Sequence, residues 1–150
     1  LGAASGTTAS HVSDIVGEDG YVYCIEFAPR AIRELVNNVC NFRLNMAPIL
    51  ADARFPEHYA SLVEKVDVIY CDIAQPEQSK ALADNADLFL KSNGWIMLAI
   101  KAASIDVTKE PSEVYEQEIK VLKSRSFEIK EVVHLEPYDK AHVMVVAKFA

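Results

Sequence analysis

The chain has 150 residues, 51% hydrophobic and 25% charged, which suits one globular domain able to bury a sizeable core. No apolar run approaches the roughly 20 residues of a membrane span; the longest, residues 95–100, stops at Lys101. Fifteen Lys and Arg against 22 Asp and Glu leave a formal net charge of −7, which argues against a stand-alone binder of phosphate backbones, whose partners present cationic surfaces.

The three cysteines, Cys24, Cys40 and Cys71, form no CxxC pair, and no basic-apolar-small leader opens the chain, so a reduced intracellular protein is expected. Leu1-Gly2 reads as the last step of a strand entering a Gly-rich turn, so the chain reads as a segment of a longer protein.

Strand and helix then alternate, as in a parallel sheet covered on both faces. Residues 8–16 read as a helix with Val12, Ile15 and Val16 inward, ended by Gly17 and Gly20; residues 21–27 form a β-branched and aromatic strand. Pro29 suits a first helical turn, and the helix to Cys40 buries Ile32, Leu35, Val36 and Val39 at 3-and-4 spacing. Residues 46–50 are a short strand, 56–63 a short helix or turn, and 66–71 an apolar strand interrupted by Asp67. Pro76 opens a helix to about Phe89, and Asn93-Gly94 turns into a strand at 95–100. Pro111 begins the last helix, burying Val114, Ile119 and Leu122. Residues 127–135 and 142–149 are strands joined by a linker too short for a crossover, hence an antiparallel hairpin. The fold class expected is α/β and Rossmann-like: one domain over residues 1–150, a mostly parallel sheet closed by a C-terminal antiparallel hairpin.

The chemistry gathers at predicted strand ends. Gly2-Ala3-Ala4-Ser5-Gly6-Thr7-Thr8 lies between a strand end and a helix start, where small residues admit a ligand close to backbone amides. Its spacing is not that of dinucleotide binders; taken alone it is equally a tight turn. Glu26 ends the next strand, placed to accept hydrogen bonds from both hydroxyls of a ribose. Asp52 and Asp72 follow at the third and fourth strand ends, where an open parallel sheet forms its ligand crevice. Each is also readable as a solvated carboxylate, but three at successive strand ends repel one another without donors nearby, and suit a nucleoside bearing a positive sulfonium and amine. His11, His58 and His134 lack metal-ligand spacing, and no metal is expected.

The residues 1–8 (LGAASGTT), 22–27 (VYCIEF), 52–54 (DAR), 66–76 (VDVIYCDIAQP) and 135–138 (LEPY) occur in one order across essentially the whole chain and resemble the fibrillarin family, its archaeal-type rRNA/tRNA 2′-O-methyltransferases most closely. The resemblance implies a methyltransferase fold, S-adenosyl-L-methionine as cofactor, and transfer of its methyl group to RNA ribose 2′-hydroxyls. It implies that Gly2, Ala4, Thr7 and Thr8 bind the cofactor at the helix start, Glu26 the ribose, and Phe27, Asp52 and Ala53 the adenine. Asp72, Ile73, Ala74 and Gln75 would line the methionine part.

It further implies a catalytic set of Asp72, Lys101 and His142, with a lysine upstream of Leu1. Lys101 is open to two roles, orienting the hydroxyl and stabilising an alkoxide, or acting as base if its charge is suppressed; alone it is a snorkelling strand-end lysine. His142 is equally a hairpin histidine bonded locally. Arg30, Arg33, Arg43 and Arg54 are candidate contacts for RNA or partners, each also readable as solvated surface. The implied setting is a box C/D guide ribonucleoprotein: guide RNA and target RNA, a scaffold protein, a kink-turn-binding protein, no membrane. Its location would be the cytoplasm for an archaeal member and the nucleolus for a eukaryotic one. Rival readings are methylation of a protein side chain such as glutamine or of a small molecule, and a non-catalytic structural subunit.

Overall fold

The computed structural model describes all of residues 1–150, which divide into two compact units, residues 1–63 and 64–150. In the first, α1 (Thr7–Val16), β1 (Val22–Glu26), α2 (Pro29–Asn38) and β2 (Met46–Leu50) follow in order, with 3₁₀ turns at Cys40–Phe42 and Pro56–Leu62. β1 and β2 pair in parallel from Val22↔Met46 to Glu26↔Leu50. That register brings both carboxyl ends to one edge. Ala9, Cys24, Leu35 and Met46 form the core, with Ala3, Val22, Ile32, Val39 and Cys40 packed on it.

The second unit holds β3 (Val66–Cys71), α3 (Gln78–Phe89), β4 (Leu90–Lys101), the one-turn α4 (Ala102–Ile105), α5 (Pro111–Ser124), β5 (Phe127–His134) and β6 (His142–Phe149). Its sheet runs β3-β4-β6-β5. β3 and β4 are parallel, whereas β6 is antiparallel to both β4 and β5. On β4, Ile96, Leu98 and Ile100 are fully buried on one face, while the other runs from exposed Trp95 through half-buried Met97 to buried Ala99 and exposed Lys101. Ala81, Ala83 and Ala86 give α3 a buried surface of small residues around Leu82 and Phe89. No helix is long and apolar enough to cross a membrane.

The parallel pairs and the hairpin expected from sequence are present, hydrogen-bonded as a two-stranded and a four-stranded sheet. Three local expectations change. In α1 the buried residues are Ala9 and Ser13, and Ile15 is 83% exposed. Polar bonds set this phase: the Ser13 hydroxyl donates to Asn45 Oδ1 at 2.7 Å, and the Asn45 amide donates to the Ser13 and Gly17 carbonyls. α3 starts at Gln78 rather than Pro76, because the Gln78 N–H closes a turn onto the Gln75 carbonyl. β4 runs unbroken through Asn93-Gly94: Asn93 takes φ 63°, and the register slips between Val66↔Leu90 and Val68↔Trp95. Asn tolerates that left-handed conformation, so a turn signal becomes a bulge.

Candidate functional site

In the first unit, three residues of the opening turn lie at positive φ: Gly2 at 77°, Ala4 at 49° and Gly6 at 104°. Gly2 and Ala3 N–H both donate to the Ile25 carbonyl, at 2.9 and 3.0 Å. The left-handed kink at Ala4 turns its amide onto Glu26 Oε1 at 2.9 Å, and the other carboxylate oxygen accepts the Ala28 N–H, also at 2.9 Å. Glu26 is 7% exposed. Its carboxylate thus joins the turn before α1 to the turn before α2, and two accepted bonds leave about half of its roughly four acceptor positions open. No side chain caps α1 and its first turn holds no acidic residue, so the first-turn amides stay available for an acceptor. Thr7 and Thr8 are exposed there, and Gly2 is half-buried.

Glu26 and Asp52 share the carboxyl edge of β1 and β2, with Phe27, 58% exposed, following Glu26. Asp52 already has a cationic partner. Arg54 meets it through Nη2–Oδ2 at 2.8 Å and Nε contacts at 3.2 Å, and the Arg54 N–H donates to Oδ1 at 3.0 Å. The Arg54 side chain holds the Asp52 carboxyl below its ordinary value. Ala53 is buried between them in sequence. Two of the three strand-end acids are therefore supplied with donors by the fold itself, Glu26 by backbone amides and Asp52 by the Arg54 cation.

In the second unit, Asp72 leaves β3 and is exposed; Ile73 and Gln75 are half-buried and Ala74 exposed. Gln75 N–H closes a tight turn on the Ile73 carbonyl at 2.8 Å. Asp72 and Lys101 emerge from the same end of the parallel pair β3–β4. Lys101 ends β4 directly opposite His142, the first residue of β6. The Ala102 N–H to Ala141 carbonyl bond, 3.2 Å, continues that pairing. His142 Nδ1 donates to the Lys140 carbonyl at 2.8 Å. A carbonyl can only accept, so the neutral ring carries its lone pair on Nε2. The local-hairpin and functional readings of His142 are thus compatible. Lys101 is exposed and belongs to none of the molecule's ion pairs.

Among the arginines offered to RNA, Arg43 is committed internally. It contacts Asp14 Oδ1 at 2.6 Å, Ser13 Oγ and the Ser10 carbonyl, tying the β2 approach to α1. Arg54 is held by Asp52 and lies 5.3 Å from the Phe55 ring centroid. Arg30 pairs with Glu34 at 3.8 Å with its side chain 93% exposed, and Arg33 is exposed. The sequence reading also missed Glu118. It lies on α5, 7% exposed, and accepts the Ser79 hydroxyl at 2.9 Å at the start of α3. Burial pushes its carboxyl up, against the Ser79 hydroxyl and amide donors. A charge inside an otherwise apolar helical face was the available signal.

The fibrillarin family model matches residues 1–150. A fibrillarin-like rRNA/tRNA 2′-O-methyltransferase of Staphylothermus marinus is 64% identical over 99% of this chain, which spans 63% of that relative's length. The solved Aeropyrum pernix fibrillarin in complex with natively bound S-adenosyl-L-methionine is 57% identical at TM-score 0.89, covering 98% of this chain and 64% of that one. A fibrillarin/Nop5p complex matches at TM-score 0.95 and 41% identity, covering 100% and 70%. At 17% identity, an S-adenosylmethionine-dependent methyltransferase of Aquifex aeolicus still gives TM-score 0.74 over 99% of this chain and 79% of that one, which shows the fold alone. The fold is therefore the Rossmann-like methyltransferase class, and with the family model matched from end to end the chain belongs to the fibrillarin family.

Proposed function

We propose that the protein is an S-adenosyl-L-methionine-dependent 2′-O-ribose methyltransferase of rRNA and tRNA, the catalytic subunit of a box C/D guide particle, with residues 1–150 as one methyltransferase domain. The observation that carries this reading is the Glu26-organised turn, in a chain so similar to a fibrillarin with natively bound S-adenosyl-L-methionine. The residues fit the cofactor: a buried carboxylate keeps free acceptor positions, and an uncapped helix start offers amides. Gly2, Ala4, Thr7 and Thr8 would hold it at the turn, Glu26 its ribose hydroxyls, and Phe27, Asp52 and Ala53 its adenine, Asp52 while still bound to Arg54. Asp72 and Ile73-Ala74-Gln75 would line the methionine part. When bound, the cofactor supplies an electrophilic methyl group.

The chain's own residues then act on the RNA hydroxyl. Lys101, an exposed cation, orients the 2′-oxygen and stabilises the negative charge developing on it. His142, with Nδ1 committed to a carbonyl, has Nε2 as the atom to receive the hydroxyl proton. Guide RNA, a kink-turn-binding protein and a scaffold protein of the kind present in the fibrillarin/Nop5p complex would select and present the target. The archaeal-type resemblance supports a cytoplasmic location.

Calorimetry of the full-length protein with S-adenosylhomocysteine should show binding that Glu26→Ala weakens strongly. In the assembled particle, Asp72→Ala and Lys101→Ala should each lower turnover at least ~100-fold with cofactor binding by Lys101→Ala retained. Unchanged turnover in both would point to a structural subunit.

A further inference from the structure

The hairpin loop between β5 and β6, residues 135–141, enters the chemistry above only through the Lys140 carbonyl that holds His142 Nδ1, and it is fastened to the strand ends that carry that chemistry. Leu135 N–H donates to the His142 carbonyl at 3.0 Å and Asp139 N–H to the Leu135 carbonyl at 2.9 Å. Glu136 Oε1 accepts the Ala141 N–H at 3.3 Å, and Ala141 in turn bonds Ala102, next to Lys101. At the loop's base, the His134 ring meets the Tyr115 ring of α5 edge-on at 6.1 Å between centroids. Out of this fastened loop Tyr138 projects with 92% of its surface exposed. His142 follows it four positions later, so the chain places it no more than about 14 Å from that residue's backbone.

A large amphipathic ring exposed on the loop that leads into His142 has a polar end to satisfy and an apolar body to cover. The loop's charges indicate which part of an RNA it meets. Glu136 and Asp139 outweigh Lys140, so the loop does not attract phosphate. Its only uncharged polar side chain is the phenol of Tyr138. The hydroxyl to be methylated lies in the wide, shallow minor groove of an A-form duplex, in a row with the 2′-hydroxyls of its neighbours. An exposed side chain on the loop that leads into His142 is within reach of that row.

We propose that Tyr138 is a substrate-binding residue whose phenol hydrogen-bonds the 2′-hydroxyl of a nucleotide flanking the target, its ring lying against that sugar. The proposal rests on the ribose-methyltransferase reading and deepens it: the enzyme would recognise ribose at a neighbouring position as well as at the position it modifies. Because Tyr138 is almost wholly exposed, its replacement leaves the core untouched.

The test uses the full-length protein in its guide particle and target RNAs carrying one 2′-deoxynucleotide at each flanking position in turn, the target hydroxyl intact. For the wild type, one such substitution should lower kcat/KM about threefold to tenfold, the effect of one neutral hydrogen bond. Tyr138→Phe should lower kcat/KM on the all-ribose target by a similar factor and be indifferent to that same deoxynucleotide. Robust methylation with no flanking deoxynucleotide effect, or with Tyr138→Phe at wild-type rate, overturns this inference and leaves the function reading standing. Tyr138→Ala impaired with Tyr138→Phe intact would mean packing without the hydrogen bond, and also overturns it. Absence of ribose methylation by the wild-type particle overturns both.

Discussion

Glu26 holds two jobs because a carboxylate has more acceptor positions than the fold uses. Its oxygens accept the Ala4 and Ala28 amides in a site 7% exposed. In Glu26→Gln, the amide group would set donors against one of those N–H groups and leave it unsatisfied, so stability in chemical unfolding should fall by about 1–3 kcal/mol. Gly6 is required on two counts. Its φ is 104°, and a Cβ there would meet Leu35 Cδ1 at 2.6 Å and Val39 Cγ2 at 2.9 Å. Gly6→Ala should cost ~2–4 kcal/mol, left-handed strain and overpacking together, read as a lower urea midpoint with unchanged slope. Glycine in that turn was legible from sequence; the left-handed Ala4 was not, because its conformation follows from the bond its amide makes to Glu26.

Among the elements, α3 and α5 are joined by charges as well as by packing. Arg125 bonds Asp84 and Asp87, each at 2.8 Å, and Glu118 reaches Ser79 at the head of α3, which follows the Asp72–Gln75 turn. Burial raises the Glu118 carboxyl above its ordinary value. The folded state then holds a proton that the unfolded chain has released, so this group's contribution declines as pH rises from the ordinary carboxylate range through the raised one. Glu118→Gln keeps an acceptor for Ser79 without the charge. As pH rises from the ordinary carboxylate range through the raised one, its unfolding free energy should therefore rise relative to wild type. A difference independent of pH would mean that Glu118 is solvated like a surface acid. The hydrophobic pattern of α5 located Val114 and Leu122 correctly in its buried face, with Ile119 half-buried, but periodicity is blind to an acid whose partner lies 39 positions away.

For the whole molecule, a net charge of −7 and internally paired Arg43 and Arg54 leave little of the cationic surface that a phosphate backbone favours. On the proposed function, RNA affinity would then be a property of the assembly. The full-length protein without partners should bind S-adenosylhomocysteine yet methylate no guide–target duplex, while addition of the scaffold and kink-turn-binding proteins restores turnover. Robust single-turnover methylation by the protein alone would refute that division of labour.

Sequence by itself determined the order and kind of the elements: 46–50, 66–71 and 142–149 are strands in the structure as in the pattern. It also set glycines and acids at strand ends, because side-chain period and turn chemistry act over a few neighbouring residues. Tertiary structure alone decided which donors satisfy Glu26 and Asp52, which nitrogen of His142 keeps its lone pair, and which face of α1 is inward. Those outcomes depend on geometry at ångström scale. A hydrogen bond exists only where folding sets donor and acceptor about 3 Å apart in the right direction, and local sequence does not encode that distance.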